Sequence, residues 1–226
     1  IFFMKILGFI PARGGSKTIP LKNLHKISNK PLIQYTIESA LQSKIFYKIM
    51  VSSDHNKILN FIKKFKNISS LKRPKNISGD TATTDSALEH ALIHLAKNKD
   101  IKPEYICIIE PTAPLRSATS LKKLKKFIKK KKINSLITVN SLDHIPGKIN
   151  NDKFHFLEFN RQARQLRKKY YIETGTFYLV SYKYFMKFKK IVSKKPFFFE
   201  VPKIESVDIN DREDLKFAEG LLKLKK

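Results

Sequence analysis

Short, wholly apolar runs alternate with amphipathic helical patterns along most of this chain, and that alternation restricts its fold more than any other feature. Lys5 to Ile10 reads as a strand leading into a glycine-containing loop, and Pro31 to Leu41 follows as a helix. Lys48 to Val51 reads as a second strand, after which Ser52-Ser53-Asp54 offers a cap for a helix from His55 to Phe65. Beyond a polar stretch, Asp85 opens a helix with Leu88, Ala91, Leu92 and Leu95 on one face. Tyr105 to Ile109 is apolar on both faces, as strands of a buried parallel sheet are. A helix at Leu121 to Lys131 and strands at Ser135 to Val139 and Gly175 to Val180 continue the pattern, and Asp211 to Lys223 closes it as a capped amphipathic helix. The order predicts an α/β fold with a doubly wound, mostly parallel sheet.

The 226 residues carry no internal repeat and no Gly/Ser/Pro-rich linker, so a single domain over 1–226 is expected. The rhythm breaks at about Ser141 to Tyr171, a polar, basic stretch in which Lys153-Phe154-His155-Phe156 alternates like a hairpin strand. It predicts an excursion at about 141–175. Phe154, Phe156 and Phe159 have little local core to enter, which predicts burial against a second copy in a homodimer.

Lys plus Arg number 46 against 19 acidic residues, a formal charge of +27 that suits nucleic acid, an anionic surface or polyanionic substrates. The lysines are spread along the whole chain. Their densest cluster, 121–132, keeps apolar residues at helical spacing and reads as a helix with a solvated outer face. No aromatics are interleaved there for base stacking, so nucleic acid is not the expected partner. No apolar run approaches the ~20 residues of a membrane span. The apolar start, Ile1 to Ile10, lacks a basic leader and a small-residue cleavage site and reads as a buried first strand, with Met4 a candidate start. The lone Cys107 sits in an apolar run as a core residue, compatible with a reducing cytoplasm.

The chemistry gathers first in Pro11-Ala12-Arg13-Gly14-Gly15-Ser16-Lys17-Thr18-Ile19-Pro20-Leu21-Lys22-Asn23, directly after the first strand. Glycines allow the backbone to approach a phosphate chain, and loop amides can form an anion-binding concavity. Arg13, Lys17 and Lys22 add charge-assisted donors for a triphosphate. The spacing is neither that of a Walker A loop nor the dinucleotide G-x-G-x-x-G pattern.

Four segments in order carry a resemblance. The first loop resembles the PARGGSK-x-IP-x-KN signature of the CMP–acylneuraminate (sialic acid) synthetase family, with its legionaminic and pseudaminic branches. Arg73-Pro74 followed by Asp80-Thr81-Ala82-Thr83-Thr84 resembles its nucleobase-binding stretch, and Glu110-Pro111-Thr112-Ala113-Pro114-Leu115-Arg116 its QPTSPLR motif. Glu205-Ser206-Val207-Asp208-Ile209-Asn210 resembles its C-terminal S-(I/V)-D-(I/V)-(D/N) metal motif. The resemblance implies a nucleotide-diphospho-sugar transferase-like fold and transfer of CMP from CTP to an acidic nine-carbon sugar. It implies that Ala12, Arg13, Gly14, Gly15, Ser16, Lys17, Lys22 and Asn23 bind CTP, with Arg73, Ala82 and Thr84 around the cytidine. Arg13, Lys22 and Asp208 would serve catalysis, and Asp208 with Asn210 would hold Mg2+. Asn160-Arg161-Gln162 and Glu173-Thr174-Gly175 resemble the family's RQ…NG segment, which implies sugar binding by Arg161, Gln162 and Arg164 together with Glu110. Where the family motif has Gln, this chain has Glu110; either it faces donor groups on the sugar, or it caps or pairs with the adjoining loop through Arg116.

Other features have plainer readings. His90 and His94 stand at i and i+4 without an H-E-x-x-H pattern or a third ligand. Asp54 reads as a helix cap, and Phe197-Phe198-Phe199 as a core strand. Two alternatives remain: a cytidylyltransferase for the eight-carbon sugar Kdo, and a basic nucleic-acid-binding protein that keeps only the fold.

Overall fold

The computed structural model describes residues 4–157 and 164–224. Seven strands form the main sheet: β1 (Ile6–Pro11), β4 (Lys48–Ser53), β5 (Ser69–Lys72), β6 (Tyr105–Ile108), β7 (Ser135–Leu142), β10 (Tyr170–Ser181) and β11 (Phe197–Glu200). Two small ribbons lie outside it, β2 (Lys26–Ile27) with β3 (Lys30–Pro31), and β8 (Gly147–Asn150) with β9 (Lys153–Phe156). The helices are α1 (Leu32–Ser43), α2 (Asn56–Ile62), α3 (Thr84–Lys97), α4 (Ala118–Lys129), α5 (Tyr182–Phe188) and α6 (Arg212–Leu224).

The order across the sheet is β11-β7-β10-β6-β1-β4-β5. Every pairing is parallel except those of β10, which runs antiparallel to both β6 and β7. The chain winds from β1 outward through β4 to β5, then returns to lay β6 on the other side of β1. Beside β1 the winding therefore reverses, and such a switch leaves a crevice at the carboxyl ends of the strands.

Alternation along β1 explains the two helical layers. Ile6 and Ile10 face a core shared with α1, α2 and α4, whereas Leu7 and Phe9 face one shared with α3 and α5. All four side chains are fully buried, each contributing about 1.5–3 kcal/mol from the apolar surface it withdraws from water. A third cluster, with Ile19, Leu32, Ile209 and Leu215, fastens α6 and the segment before it beside the loop after β1. The lysine-rich α4 buries Leu121, Leu124 and Ile128 and leaves its lysines outward, as its spacing implies.

Several elements differ from the sequence reading. Within the expected polar stretch lies β5, an outer strand with one buried residue, Leu71, too little pattern to register as a strand. Phe197–Phe199 do form a strand, but on the opposite edge, where Phe198 is 59% exposed and not core. The stems of the 141–175 excursion belong to the sheet, since β7 extends to Leu142 and β10 begins at Tyr170. Among the described residues between those stems, β8 and β9 pair as a separate ribbon. Phe159 lies outside the described residues.

Candidate functional site

Four parallel strands, β1, β4, β5 and β6, end on one edge, and each delivers a segment to it. The turn after β5 supplies Arg73, whose N–H donates to the Ser53 carbonyl at 2.8 Å. Its guanidinium is held by Ser52, with Nε donating to the hydroxyl at 3.1 Å and Nη2 to the carbonyl at 3.0 Å. Burial lowers the pKa of Arg73, opposed by the charges of Asp54 and Glu110. Arg73 forms one wall of a cavity of about 510 Å³ whose rim is the loop after β1 and whose far side is Ala82, Thr83 and Thr84.

The loop after β1 is fixed at its base and open at its tip. Gly14 N–H donates to Asp54 Oδ1 at 2.7 Å. A Cβ on Gly14 would lie 2.6 Å from His55 Cβ, so only glycine permits this approach. Asn23 Nδ2 donates to the Arg13 carbonyl at 2.9 Å from a buried position. Among the described residues, the N–H groups of Arg13, Gly15, Ser16, Lys17 and Thr18 find no acceptor, which leaves a run of donors for an anion. Arg13 and Lys17 both reach Asp80, at 3.4 and 3.3 Å. Asp54 is therefore not a helix cap. His55 caps α2, its Nδ1 accepting from Lys57 N–H, because Asp54 is committed to the loop.

Glu110 follows β6 and borders two cavities, the one just described and a smaller one of about 320 Å³ lined also by Thr84, Tyr178 and Glu173. Its carboxyl pKa is pushed up to about 7, first by burial and then by Asp208, against the pull of Arg116, Arg73 and Lys22. Arg116 does not pair with that carboxylate. Its buried guanidinium donates to the Glu110 and Thr176 carbonyls and to Thr36 Oγ1, tying the turn to α1 and β10. Tyr178 donates to Glu173 Oε1 at 2.7 Å.

Lys22 Nζ donates to the Ile209 carbonyl at 2.8 Å, and burial lowers its pKa against the opposing charge of Asp208. Thr18 Oγ1 donates to the Asn210 carbonyl at 2.5 Å. These bonds lock the metal-motif segment onto the loop. Asp208 accepts from Asn210 Nδ2 through Oδ2 at 3.1 Å, while its Oδ1 is buried with no hydrogen-bond partner among the described residues. One carboxylate oxygen is thus left over, as a hard cation requires. Among the described residues no group of three His, Cys, Asp or Glu could enclose a metal. The site fits an ion held by one carboxylate and by oxygens from a ligand. His90 and His94 form no such group either.

Of the residues singled out in the sequence, Arg13, Gly15, Ser16, Lys17, Lys22, Asn23, Arg73, Ala82, Thr84, Glu110 and Asn210 line the main cavity. Ala12 does not; it is buried and its N–H donates to the Ser52 carbonyl. Gly14 is in the loop but not in the lining, its Cα turned against His55, and Asp208 faces an adjoining hollow with Glu173, Thr174 and Tyr178. Arg161 and Gln162 lie outside the described residues, as does the side chain of Arg164. The sequence placed Thr18 and Asp80 inside motifs but gave neither them nor Tyr178 a role, because their contacts are made only by the fold. The acidic residue directly after β4 also carries a signal, but its local sequence suggests a cap and its partner, Gly14, is distant.

Comparison with known proteins agrees with this geometry. The family model for cytidylyltransferases matches residues 7–225. A pseudaminic acid cytidylyltransferase of Campylobacter jejuni is 33% identical, covering 98% of this chain and 97% of its own length. A CMP-N,N'-diacetyllegionaminic acid synthase of Legionella pneumophila is 28% identical, covering 98% and 97%. An N-acylneuraminate cytidylyltransferase of Escherichia coli is 27% identical over 95% of this chain and 51% of its own. In fold, the chain is similar to a CMP:2-keto-3-deoxy-manno-octonic acid synthetase complexed with CTP, at a TM-score of 0.73 and 15% identity over 98% of this chain and 100% of that one. With an anion-ready loop at the switch point of a doubly wound sheet, and with the family model matching almost end to end, the chain belongs to the cytidylyltransferase family.

Proposed function

We propose that this chain transfers the CMP part of CTP to an acidic nine-carbon sugar and releases pyrophosphate. One observation carries the reading: two cavities meet at Glu110, one rimmed by the free amides and cations of the loop after β1, the other walled by Glu173 and Tyr178. Triphosphate suits the first, where Arg13, Lys17 and Lys22 supply positive charge. Cytidine lies against Arg73, Ala82 and Thr84, and the sugar enters from the Tyr178 side. The pseudaminic and legionaminic relatives support a nine-carbon acid as the acceptor.

The anomeric hydroxyl oxygen of the sugar bonds to the α-phosphorus as the bond to the bridging oxygen breaks. Pyrophosphate departs with that electron pair, and the hydroxyl proton passes to solvent. The protein forms no covalent bond; its residues align the two substrates and balance their charge. Asp208 and Asn210 would hold Mg2+, which when bound neutralises charge developing on the phosphates. Arg161, Gln162 and Arg164 belong to the sugar side of the reading. The CTP requirement places the enzyme in the cytoplasm, and the β8–β9 ribbon serves a homodimer.

The test is pyrophosphate release from CTP and Mg2+ with a panel of acid sugars that includes the eight-carbon acid. Turnover with a nine-carbon acid is expected. Release with no acid sugar, alongside tight salt-sensitive binding of nucleic acid, would overturn the proposal.

A further inference from the structure

Asp54 is an acidic residue at the site that the reaction as described leaves without a task. It does not line the cavity. It follows directly on β4, and its surroundings hold it firmly: Lys72 Nζ donates to its carbonyl, Ser53 Oγ accepts from the next N–H at 3.1 Å, and Arg73 is anchored on the two residues before it. From this position Oδ1 accepts the Gly14 N–H at 2.7 Å.

Of the two loop glycines, Gly14 is the one wedged against a side chain, His55, so the tether and the close approach act at a single point. On both sides of it, Arg13 and Gly15 to Thr18 carry N–H groups with no acceptor among the described residues. A loop whose neighbouring amides are all free has few internal bonds to define its shape. Asn23, Thr18 and Arg13 tie the loop through side chains and a carbonyl. Among the described residues the Asp54 bond is the one made to an N–H between Arg13 and Thr18, and it bears directly on where the neighbouring amides point.

We propose that Asp54 is the positioning residue of the phosphate-binding loop, fastening Gly14 to the end of β4 so that the adjacent amides and Arg13 are already aimed into the cavity. The inference rests on reading that cavity as the CTP site. A free loop would have to order itself each time a triphosphate bound, and that ordering lowers affinity.

The experiment titrates CTP, and separately inorganic triphosphate, into the full chain calorimetrically for wild type, Asp54→Ala and Asp54→Asn, with steady-state kinetics alongside. Loss of a hydrogen bond to a charged acceptor corresponds to about 10-fold or more in affinity. Asp54→Ala should weaken both ligands by about that factor and raise KM for CTP, leaving KM for the acid sugar within about 2-fold. Asp54→Asn keeps an acceptor oxygen and should stay within about 3-fold of wild type. If Asp54→Ala fails to fold, Asp54→Ser replaces it, since its shorter hydroxyl falls short of Gly14. Unchanged affinity in the alanine or serine variant overturns the proposal. Equal damage in Asp54→Asn also overturns it, because the charge and not the tether would then be what matters. Triphosphate binding without CTP binding in wild type would sink the cytidine reading alone, and the triphosphate arm would still decide the tether.

Discussion

The loop after β1 bonds to the carbonyls of Ile209 and Asn210, and Asn210 Nδ2 donates to Asp208, yet only Asp208 carries charge and a spare oxygen. Asp208→Asn should therefore cost far more than Asn210→Asp. Several kcal/mol of charge stabilisation corresponds to about 100-fold or more in kcat, measured against Mg2+ concentration, whereas Asn210→Asp should retain activity. Equal losses in the two variants would contradict the metal assignment. Glu110 allows a test by pH. Its folded pKa of about 7 exceeds the ordinary 4.5, so the folded chain keeps this proton after the unfolded chain has released it. Stability from this group is present below pH 4.5 and is lost as pH rises through about 7. Glu110→Gln removes that loss. In chelator, its unfolding free energy should exceed that of wild type by about 1–3 kcal/mol at pH 8, and the gain should shrink toward pH 5. Urea titrations at the two pH values check this, and a gap that widens on acidification would reverse the assigned shift.

At the scale of elements, β10 shapes the smaller cavity beside Glu110, the one proposed to take the sugar. Its register against β7 shifts between Glu173 and Tyr178, and within that irregularity Gly175 adopts φ +60. The bulge brings Glu173 and Tyr178 toward each other and toward the cavities beside Glu110. A Cβ there has room, its nearest contact being Tyr178 Oη at 3.7 Å, so the cost of Gly175→Ala is backbone strain alone. About 1–2 kcal/mol of destabilisation is expected by urea unfolding. Gly175→Asn should cost less, because asparagine tolerates the left-handed region; equal costs would show that strain is not the cause. Other elements were legible to different degrees. α4 and β6 announce themselves through strong periodicity and a continuous apolar run, and the structure places both close to where they were read. β5 and the bulge have no such signature. Leu71 is the one buried residue of β5, and a register shift is a property of two strands, not of either sequence.

For the whole molecule, the apolar surface is the feature most in need of a partner. Ile149 on β8 is 79% exposed and Phe154 on β9 is 52% exposed, with Phe154 packed edge-on against Phe156 at 4.9 Å. Light scattering at micromolar concentration should give twice the 26.3 kDa of the chain. Ile149→Lys combined with Phe154→Lys should yield folded monomers. A fully active wild-type monomer would remove the ribbon from any role in assembly. The sequence by itself determined the doubly wound α/β plan, the order of its chemical segments and the loop that gathers donors after the first strand. Each of these is written in local periodicity or in contiguous residues. Tertiary structure alone decided that Asp54 holds Gly14, that Arg116 binds the carbonyl and not the carboxylate of Glu110, and that Asp208 keeps one oxygen unpaired. Those outcomes depend on which groups meet across separations of 6 to 40 residues and more. A side chain's role there is set by the partner that reaches it first and by how much water the fold leaves around both.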